Sequence, residues 1–217
     1  MAIRIIITGA TGFVGEGVLL ECLQHPGIIE VLMINRRHFG MEHPRLKELI
    51  VADFFQLNHY SEDLKGYDAC FYCAGISSAG MSEEKYTKIT YDTTLEFART
   101  LAALNPNMVF NFVSGSHTDS SEKGKLMWAR VKGKTENALM KLPFKNEYNF
   151  RPGGMIPTMG QQNAKPVYRF IVKAMALVMP GRVSTLKEVG LAMINVALKG
   201  CPKQILEISE IKELAKP

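Results

Sequence analysis

The sequence has too few cysteines and too short an apolar run to indicate a disulfide-stapled or membrane-spanning protein. It contains four cysteines, of which Cys70 and Cys73 lie in a run typical of a buried strand. Residues at that spacing on a strand point to opposite faces, and no second cysteine or histidine pair completes a zinc site. The most apolar window, Phe170 to Met179, is short and includes Lys173. We therefore expect neither a metal site nor a membrane span.

The chain also lacks a charge excess that would identify a partner. Its 26 basic and 21 acidic side chains leave a formal charge of +5, spread without a long basic tract. Nucleic-acid binding is therefore not expected. The first apolar strand begins at Ile3 and leaves no room for a targeting segment before it, so we expect a cytoplasmic protein. A homodimer is the expected assembly.

What the sequence does contain is an alternation of apolar strands and amphipathic helices. Apolar runs predict strands at 3–7, 31–34, 49–52, 68–72, 108–113 and 148–150. Helices are predicted between them, at 13–24, at 126–142 and along a stripe formed by Tyr86, Ile89, Thr93, Phe97, Leu101 and Leu104. This rhythm predicts an α/β fold, namely a Rossmann-type doubly wound parallel sheet with helices on both faces.

The last third of the chain is less regular. Helices are predicted at 167–179, 186–198 and 210–215, with a capping box of Thr185 and Glu188, and a late strand at 204–208. No linker or repeat divides the chain. Residues 1–217 are therefore expected to form one domain, in which 155–183 and the C-terminal helices make a small cap on the substrate side.

A glycine-rich loop joins the first predicted strand to the first predicted helix. It reads Thr8-Gly9-Ala10-Thr11-Gly12-Phe13-Val14-Gly15. Gly9 suits a tight turn, Gly12 lets the backbone approach a pyrophosphate, and Gly15 lets the helix pack close to the strand. The helix start offers N–H groups and a positive dipole end. The order of strand, glycines and helix predicts a dinucleotide site formed by Gly9, Thr11, Gly12, Phe13, Val14 and Gly15.

The second predicted strand lacks, at its end, the acidic residue by which NAD sites usually hold the ribose 2′-hydroxyl. Asn35, Arg36 and Arg37 stand there instead. A guanidinium at this place can pair with a 2′-phosphate and stack on adenine. We therefore expect all three residues to contact the cofactor, and NADP to be preferred to NAD.

These motifs, taken in order, resemble the short-chain dehydrogenase/reductase superfamily in its extended and atypical branches, which include epimerase/dehydratase-like proteins. The runs Asn35-Arg36-Arg37, Asn111-Phe112-Val113-Ser114 and Val131-Lys132-Gly133 are most similar to the atypical group that contains the Tat-interacting oxidoreductase homologue. The similarity extends over nearly the whole chain. It implies a nicotinamide cofactor and an oxidoreductase acting on a small carbonyl or alcohol substrate whose identity the sequence does not specify.

The resemblance also implies roles for individual residues. Ser114 and Ser116 occupy the place of the catalytic serine, and Lys132 that of the lysine in Y-x-x-x-K, which also binds the ribose. Asp53 and Phe54 correspond to the adenine contact. The remaining implied cofactor contacts follow the fourth and sixth strands, and they are Cys73, Ala74, Gly75, Arg151, Pro152 and Gly153.

The tyrosine of that motif is missing, because the residue four positions before Lys132 is Trp128. In the family the tyrosine exchanges a proton with the substrate, whereas an indole N–H is a donor only and is not a physiological acid or base. Trp128 lies on the same helix face as Lys132, since residues at this spacing are neighbours on a helix. The usual proton transfer therefore cannot pass through this position.

Three interpretations of this departure stay open. The protein can be an oxidoreductase with another proton donor, for which His117 is the first candidate, followed by Tyr86 and Tyr91. It can instead bind NADP without turnover, as a sensor or interaction protein. It can also be an isomerase or dehydratase relative, although such proteins commonly rely on the same tyrosine.

Overall fold

A computed structural model describes residues 2–164, 172 and 179–216, where strands and helices alternate as the sequence predicts. The strands in this part of the chain are β1 (Ile3–Thr8), β2 (Ile28–Asn35), β3 (Leu46–Ile50), β4 (Ala69–Tyr72), β5 (Val109–Val113), β6 (Asn146–Phe150), β7 (Gly154–Ile156), β8 (Val183–Thr185) and β9 (Ile205–Leu206). The helices are α1 (Phe13–Gln24), α2 (Glu83–Thr87), α3 (Thr93–Leu104), α4 (Met127–Leu139), α5 (Leu186–Lys199) and α6 (Ile208–Leu214). A π-helical turn, Lys88–Asp92, joins α2 to α3, and Phe54–Tyr60 and Pro180–Arg182 form 3₁₀ turns.

The main sheet has seven parallel strands in the order β3-β2-β1-β4-β5-β6-β9. Near its centre, Ile5, Ile6 and Ile7 of β1 have no exposed surface. One face is covered by α1, α5 and α6, and the other by α3 and the end of α4. This arrangement confirms the predicted doubly wound α/β fold. Strand order reverses between β1 and β4, which is where open α/β sheets form their ligand crevice.

The long helix departs from the predicted stripe at its π-helical turn. Ile89, assigned to the buried stripe, is 36% exposed, while Tyr86, Thr90 and Thr94 are buried. The turn contains an additional residue relative to α-helical winding, which rotates the following turns about the axis. The prediction for Ile89 was therefore wrong, whereas Phe97 and Leu101 are buried as expected.

Strand alternation places Cys70 and Cys73 on opposite sides of the sheet, as predicted. Cys70 is buried in the core under α3, and Cys73 packs against the core under α1. The predicted third strand, 49–52, is shifted, because β3 spans Leu46–Ile50 and pairs in parallel with β2.

The region expected as a cap contains a second, two-stranded parallel sheet of β7 and β8, which the sequence did not predict. The described residues include 155–164, 172 and 179–183 of the expected cap, so most of the predicted helix at 167–179 lies outside them. The capping box at the start of α5 is confirmed, with Thr185 and Glu188 bonded reciprocally. No helix in the described ranges is long and apolar enough to cross a membrane.

Candidate active site at the carboxyl edge of the sheet

The glycine loop lies between the ends of β1 and β4. Gly9 has a φ of +70°, and a Cβ on it would stand 2.6 Å from the Ala74 amide nitrogen. The turn after β1 therefore touches the turn Cys73-Ala74-Gly75, and the Thr8 hydroxyl accepts a hydrogen bond of 3.2 Å from the Ala74 amide. These contacts bring together two segments that the sequence assigned to one cofactor.

The start of α1 has the form expected of an anion site. Its N-cap is Gly12, so no side chain caps the helix, in contrast to the capped start of α5. Thr11 and Gly12 are exposed, and Gly75 has open space where a Cβ would stand. Gly15 is required for packing instead, because its Cβ would lie 2.2 Å from the Gly9 carbonyl oxygen. The uncapped amides and the open glycines fit a dinucleotide pyrophosphate.

The turn after β2 separates Asn35 from the two arginines. Asn35 is buried, and its side-chain amide donates to Glu48 on β3 at 2.9 Å. Glu48 also accepts bonds from the Phe39 amide and from His38. Arg36 and Arg37 are exposed and form no hydrogen bond or ion pair with any described residue. The nearby carboxylate is thus occupied, and both guanidinium groups remain available to a ligand.

The residues assigned to the adenine contact lie after β3. Asp53 is exposed and accepts a hydrogen bond of 3.0 Å from the Phe55 amide, which makes it the N-cap of a 3₁₀ turn. Phe54 is half-buried against Phe97, with 5.0 Å between the ring centroids. The Asp53 carboxylate therefore keeps acceptor capacity toward solvent.

In the loop after β5, the Ser114 hydroxyl is hydrogen-bonded to a neighbouring threonine. The buried Ser114 hydroxyl lies 3.0 Å from the Thr118 hydroxyl, which itself donates to the Gly115 carbonyl at 2.8 Å. Since Thr118 has a single hydroxyl proton, Ser114 is the donor in their shared bond. Ser114 therefore presents its lone pairs, rather than its proton, to the site. Thr118 was not among the sequence candidates, because nothing in the local pattern marks a threonine as a hydrogen-bond partner.

The same loop is tied to the end of β6. The amides of Ser114 and Ser116 donate to the carbonyls of Phe150 and Pro152, at 2.8 and 3.0 Å. The predicted serine and Arg151-Pro152-Gly153 segments are thus adjacent.

Lys132 and Trp128 both approach this loop from α4. The Lys132 ammonium donates to the Ser114 carbonyl at 3.1 Å and lies over the Phe112 ring. Burial lowers the pKa of Lys132 to about 8, partly opposed by the carboxylate of Glu136. The Trp128 ring lies 3.9 Å from the place of a Cβ on Gly115. The indole therefore lies beside Gly115, the residue between Ser114 and Ser116 in the sequence.

Arg151 is held inside the protein by its side chain. Its guanidinium is paired with both oxygens of the fully buried Glu136, and it also contacts Glu207 at 3.1 Å and the Ser120 hydroxyl at 2.6 Å. The Arg151 guanidinium is therefore bonded to protein partners, and its side chain is 9% exposed, so the predicted cofactor contact there stays a prediction. Gly153 is likewise closely packed, since its Cβ would lie 2.3 Å from the Arg182 carbonyl oxygen.

A cleft of about 410 Å³ opens beside these segments. His117 lines it, is exposed, and has a φ of +67°, a conformation uncommon for residues other than glycine. Tyr86, the second proposed donor, is buried, and burial raises its pKa. Tyr91 lies under the Lys134 ammonium, at 4.5 Å. Of these candidates for the missing acid, His117 is the one that lines the cleft. The other residues that line the cleft are Ser116, Thr118, Arg151, Gly153, Gly154, Arg182, Glu207 and Ile208.

Comparison with models of known protein families assigns the chain to a family. The sequence pattern described as NAD dependent epimerase/dehydratase family matches residues 5–136, which is more than half of the chain. The chain belongs to this family. The matched range includes the glycine loop, Ser114, Trp128 and Lys132, so the predicted resemblance is confirmed.

Two relatives of the chain are similar to it over about three quarters of its length. Protein HTATIP2 of Rattus norvegicus is 27% identical over 164 residues, covering 75% of this chain and 66% of the rat protein, just under two thirds of its length. Protein FMP52, mitochondrial, of Kluyveromyces lactis is 28% identical over 162 residues, covering 73% of this chain and 68% of that protein.

Solved structures support the fold. The enzyme WbmF of Bordetella bronchiseptica, in complex with NAD+, superposes with a TM-score of 0.65 at 16% identity, covering 98% of this chain and 76% of that one. A short chain dehydrogenase of Burkholderia cenocepacia, in complex with NADP, superposes with a TM-score of 0.69 at 15% identity, covering 98% and 92%. Proteins of this fold therefore occur with either nicotinamide dinucleotide.

Proposed function

We propose that this protein binds NADP(H) along the carboxyl edge of the sheet, across the switch point between β1 and β4. The observation that carries this is the pair Arg36 and Arg37, which are exposed and unpaired among the described residues, next to a carboxylate, Glu48, that Asn35 and His38 already occupy. An adenosine 2′-phosphate is the ligand group that two free guanidiniums suit best. The uncapped start of α1 would hold the pyrophosphate.

Calorimetry with NADPH and NADH tests this proposal. We expect NADPH to bind more tightly, and replacement of both arginines by alanine to weaken NADPH about tenfold or more while leaving NADH little changed, because the lost contacts are charge-assisted hydrogen bonds. Arg99→Ala, at an exposed arginine on α3, is the matched control. Equal affinity of the native protein for the two cofactors would contradict the choice of NADP.

For the reaction, we propose an oxidoreductase acting on a small carbonyl or alcohol compound that enters the cleft beside Ser116 and His117. A bound nicotinamide would supply or accept the hydride. Ser114 would accept a hydrogen bond from a substrate hydroxyl, because its own proton is directed to Thr118. Lys132 would serve the cofactor ribose, which needs only donors and positive charge.

Trp128 supports a second candidate, a sensor that binds NADP(H) without turnover. Its ring lies beside Gly115, the residue between Ser114 and Ser116 in the sequence, and its indole cannot donate a proton to a forming alkoxide. We therefore expect weak or absent reduction of aldehydes and ketones despite NADPH binding. Turnover is measured with saturating NADPH against a panel of carbonyl compounds.

Variants of Trp128 and His117 separate the two candidates. An enzyme consumes NADPH with some substrate, and a sensor releases it unchanged. If the native protein reduces a simple ketone quickly, and Trp128→Phe has the same rate, another acid operates and His117→Ala should abolish the activity. Trp128→Tyr reintroduces the usual acid and should raise any residual rate. The cytoplasmic location, the homodimer and the single-domain organisation stay predictions, which fractionation, sedimentation and limited proteolysis test.

A further inference from the structure

A buried carboxylate on the cofactor-binding helix holds the chain segment that follows β7. Glu16, in the first turns of α1, has no exposed surface. Its Oε1 accepts a hydrogen bond of 2.6 Å from the Gln162 amide, and its Oε2 accepts one of 2.8 Å from the Asn163 amide. Both oxygens of one carboxylate are thus bonded to consecutive backbone amides far away in the sequence.

Two more contacts attach the same segment, residues 158–163, hereafter the docking segment. The side-chain amide of Gln161 donates to the carbonyl of Phe13, within the glycine loop. The Thr158 hydroxyl donates to Glu21, one turn further along α1, at 3.3 Å. The docking segment is therefore bonded to the glycine loop and to the next two turns of α1.

The Glu16 contact is the strongest of these on physical grounds. A buried carboxylate without partners strongly disfavours the folded state, so the two amides must stay bonded while Glu16 is buried. Glutamine is a poor replacement despite its equal size. It offers a single acceptor oxygen, and its NH₂ group would face a backbone N–H, donor to donor.

We propose that Glu16 is a positioning residue that fastens the docking segment to the start of α1, directly after the glycine loop, so that cofactor binding and order in the docking segment are coupled. The coupling rests on the proposed function, whereas the attachment does not. Phe13 lies in the loop predicted to approach the pyrophosphate, and its carbonyl holds Gln161. A ligand that immobilises this loop lowers the entropic cost of ordering whatever is bonded to it.

The docking segment also follows, in the chain, a strand that borders the cleft on the substrate side of the site. It follows β7, which begins at Gly154, a residue that lines the cleft beside Ser116 and His117. Glu16 thus connects the cofactor end of the fold to the chain leaving the cleft. Loss of Glu16 should loosen this chain without altering the glycine loop sequence.

Hydrogen exchange of single amides, measured by NMR on the full chain, tests the attachment. In the native protein the amides of Gln162 and Asn163 should exchange more slowly than the amide of Met159, a residue that is 92% exposed. Glu16→Gln should speed exchange at Gln162 and Asn163 about tenfold or more, because each loses a bond to a charged acceptor. Glu21→Gln is the matched control, since Glu21 is also buried on α1 but contacts only the Thr158 hydroxyl in this segment.

Exchange with and without NADPH tests the coupling. We expect NADPH to slow exchange at Gln162 and Asn163 in the native protein, to have no such effect in Glu16→Gln, and to bind that variant about fivefold or more weakly, within the usual range of coupling between sites. Glu21→Gln should keep both responses. The readout is independent of any catalytic turnover.

Each outcome decides one part of the proposal. Fast exchange at Gln162 and Asn163 in the native protein, at the rate of Met159, overturns the attachment even if no variant folds. Unchanged exchange in a folded Glu16→Gln overturns it as well. If NADPH binds without altering exchange, the coupling is wrong while the proposed function stands. If NADPH does not bind at all, the proposed function and the coupling are wrong, and the attachment is still decided by the free protein.

Discussion

The two halves of the site differ in how they are built. The glycine loop of the cofactor half, between β1 and α1, relies on backbone conformation, with Gly9 in a left-handed turn and Gly15 in close contact with it. The other half, around β5, α4 and β6, relies on buried polar side chains, with Glu136 and Arg151 at its centre. Added side-chain atoms should therefore destabilise the glycine loop, whereas the loss of a charged partner should destabilise the second half.

The largest effect is expected from Gly15→Ala. The new Cβ would stand 2.2 Å from the Gly9 carbonyl oxygen, so the start of α1 must move away from β1. We expect a loss of about 4 kcal/mol or more in the free energy of unfolding, or no folded protein. Thermal melting measures this.

Gly12→Ala is the counterpart within the same loop. Its Cβ would lie 3.2 Å from the same oxygen, which a small shift accommodates, so the protein should fold while NADPH binding weakens. If Gly15→Ala melts at the native temperature, the close approach of helix and strand is not required for the fold. The contrast between the two glycines would then disappear.

In the second half, Arg151→Met should cost about 3–5 kcal/mol, because it leaves the buried carboxylate of Glu136 without its charge partner. Urea unfolding measures the loss. Arg130→Met is the control, since Arg130 pairs with the half-exposed Glu83 and such pairs contribute about 0–1 kcal/mol. The double variant Arg151→Met, Glu136→Leu should recover part of the stability. Equal losses for Arg151→Met and Arg130→Met would show that the buried charges do not support this half of the site.

Replacement of Glu147 on β6 should have a smaller effect and should increase the free energy of unfolding. The residue is 3% exposed, one of its carboxyl oxygens has no partner in the described residues, and burial raises its pKa well above the ordinary value of 4.5. At pH values between 4.5 and the raised pKa of Glu147 in the folded state, Glu147 binds more protons in the native protein than in the unfolded chain. The contribution of Glu147 to stability therefore falls as pH rises through this interval.

Glu147→Gln removes this titration, because glutamine stays neutral. We expect the variant to be more stable than the native protein at pH 7 by about 1–2 kcal/mol and to lose less stability between pH 5 and 8. Glu42→Gln, at an exposed carboxylate, should leave the pH profile unchanged. Urea titrations across this range measure both. A parallel pH profile for Glu147→Gln and the native protein would contradict the assignment.

The elements that the sequence predicted well depend on residues close together in the chain. The apolar run of β1, the glycine loop and the reciprocal bonds of Thr185 and Glu188 each involve a few consecutive residues. Chain stiffness and local hydrogen bonding decide such features, so their patterns can be recognised in the amino-acid sequence. The same holds for the position of Trp128 beside Lys132, which helical spacing dictates.

The family and the general fold were thus determined by the sequence alone, while the organisation of the site depended on tertiary contacts. Glu16 meets the amide of Gln162 across 146 positions, and Arg151 meets Glu207 across 56. No local pattern marks such partners, because the free energy that selects them comes from burying a charge only where distant donors converge. The same reason explains why the sequence, which predicts a cofactor contact at Arg151, did not reveal that the buried carboxylate of Glu136 binds its guanidinium.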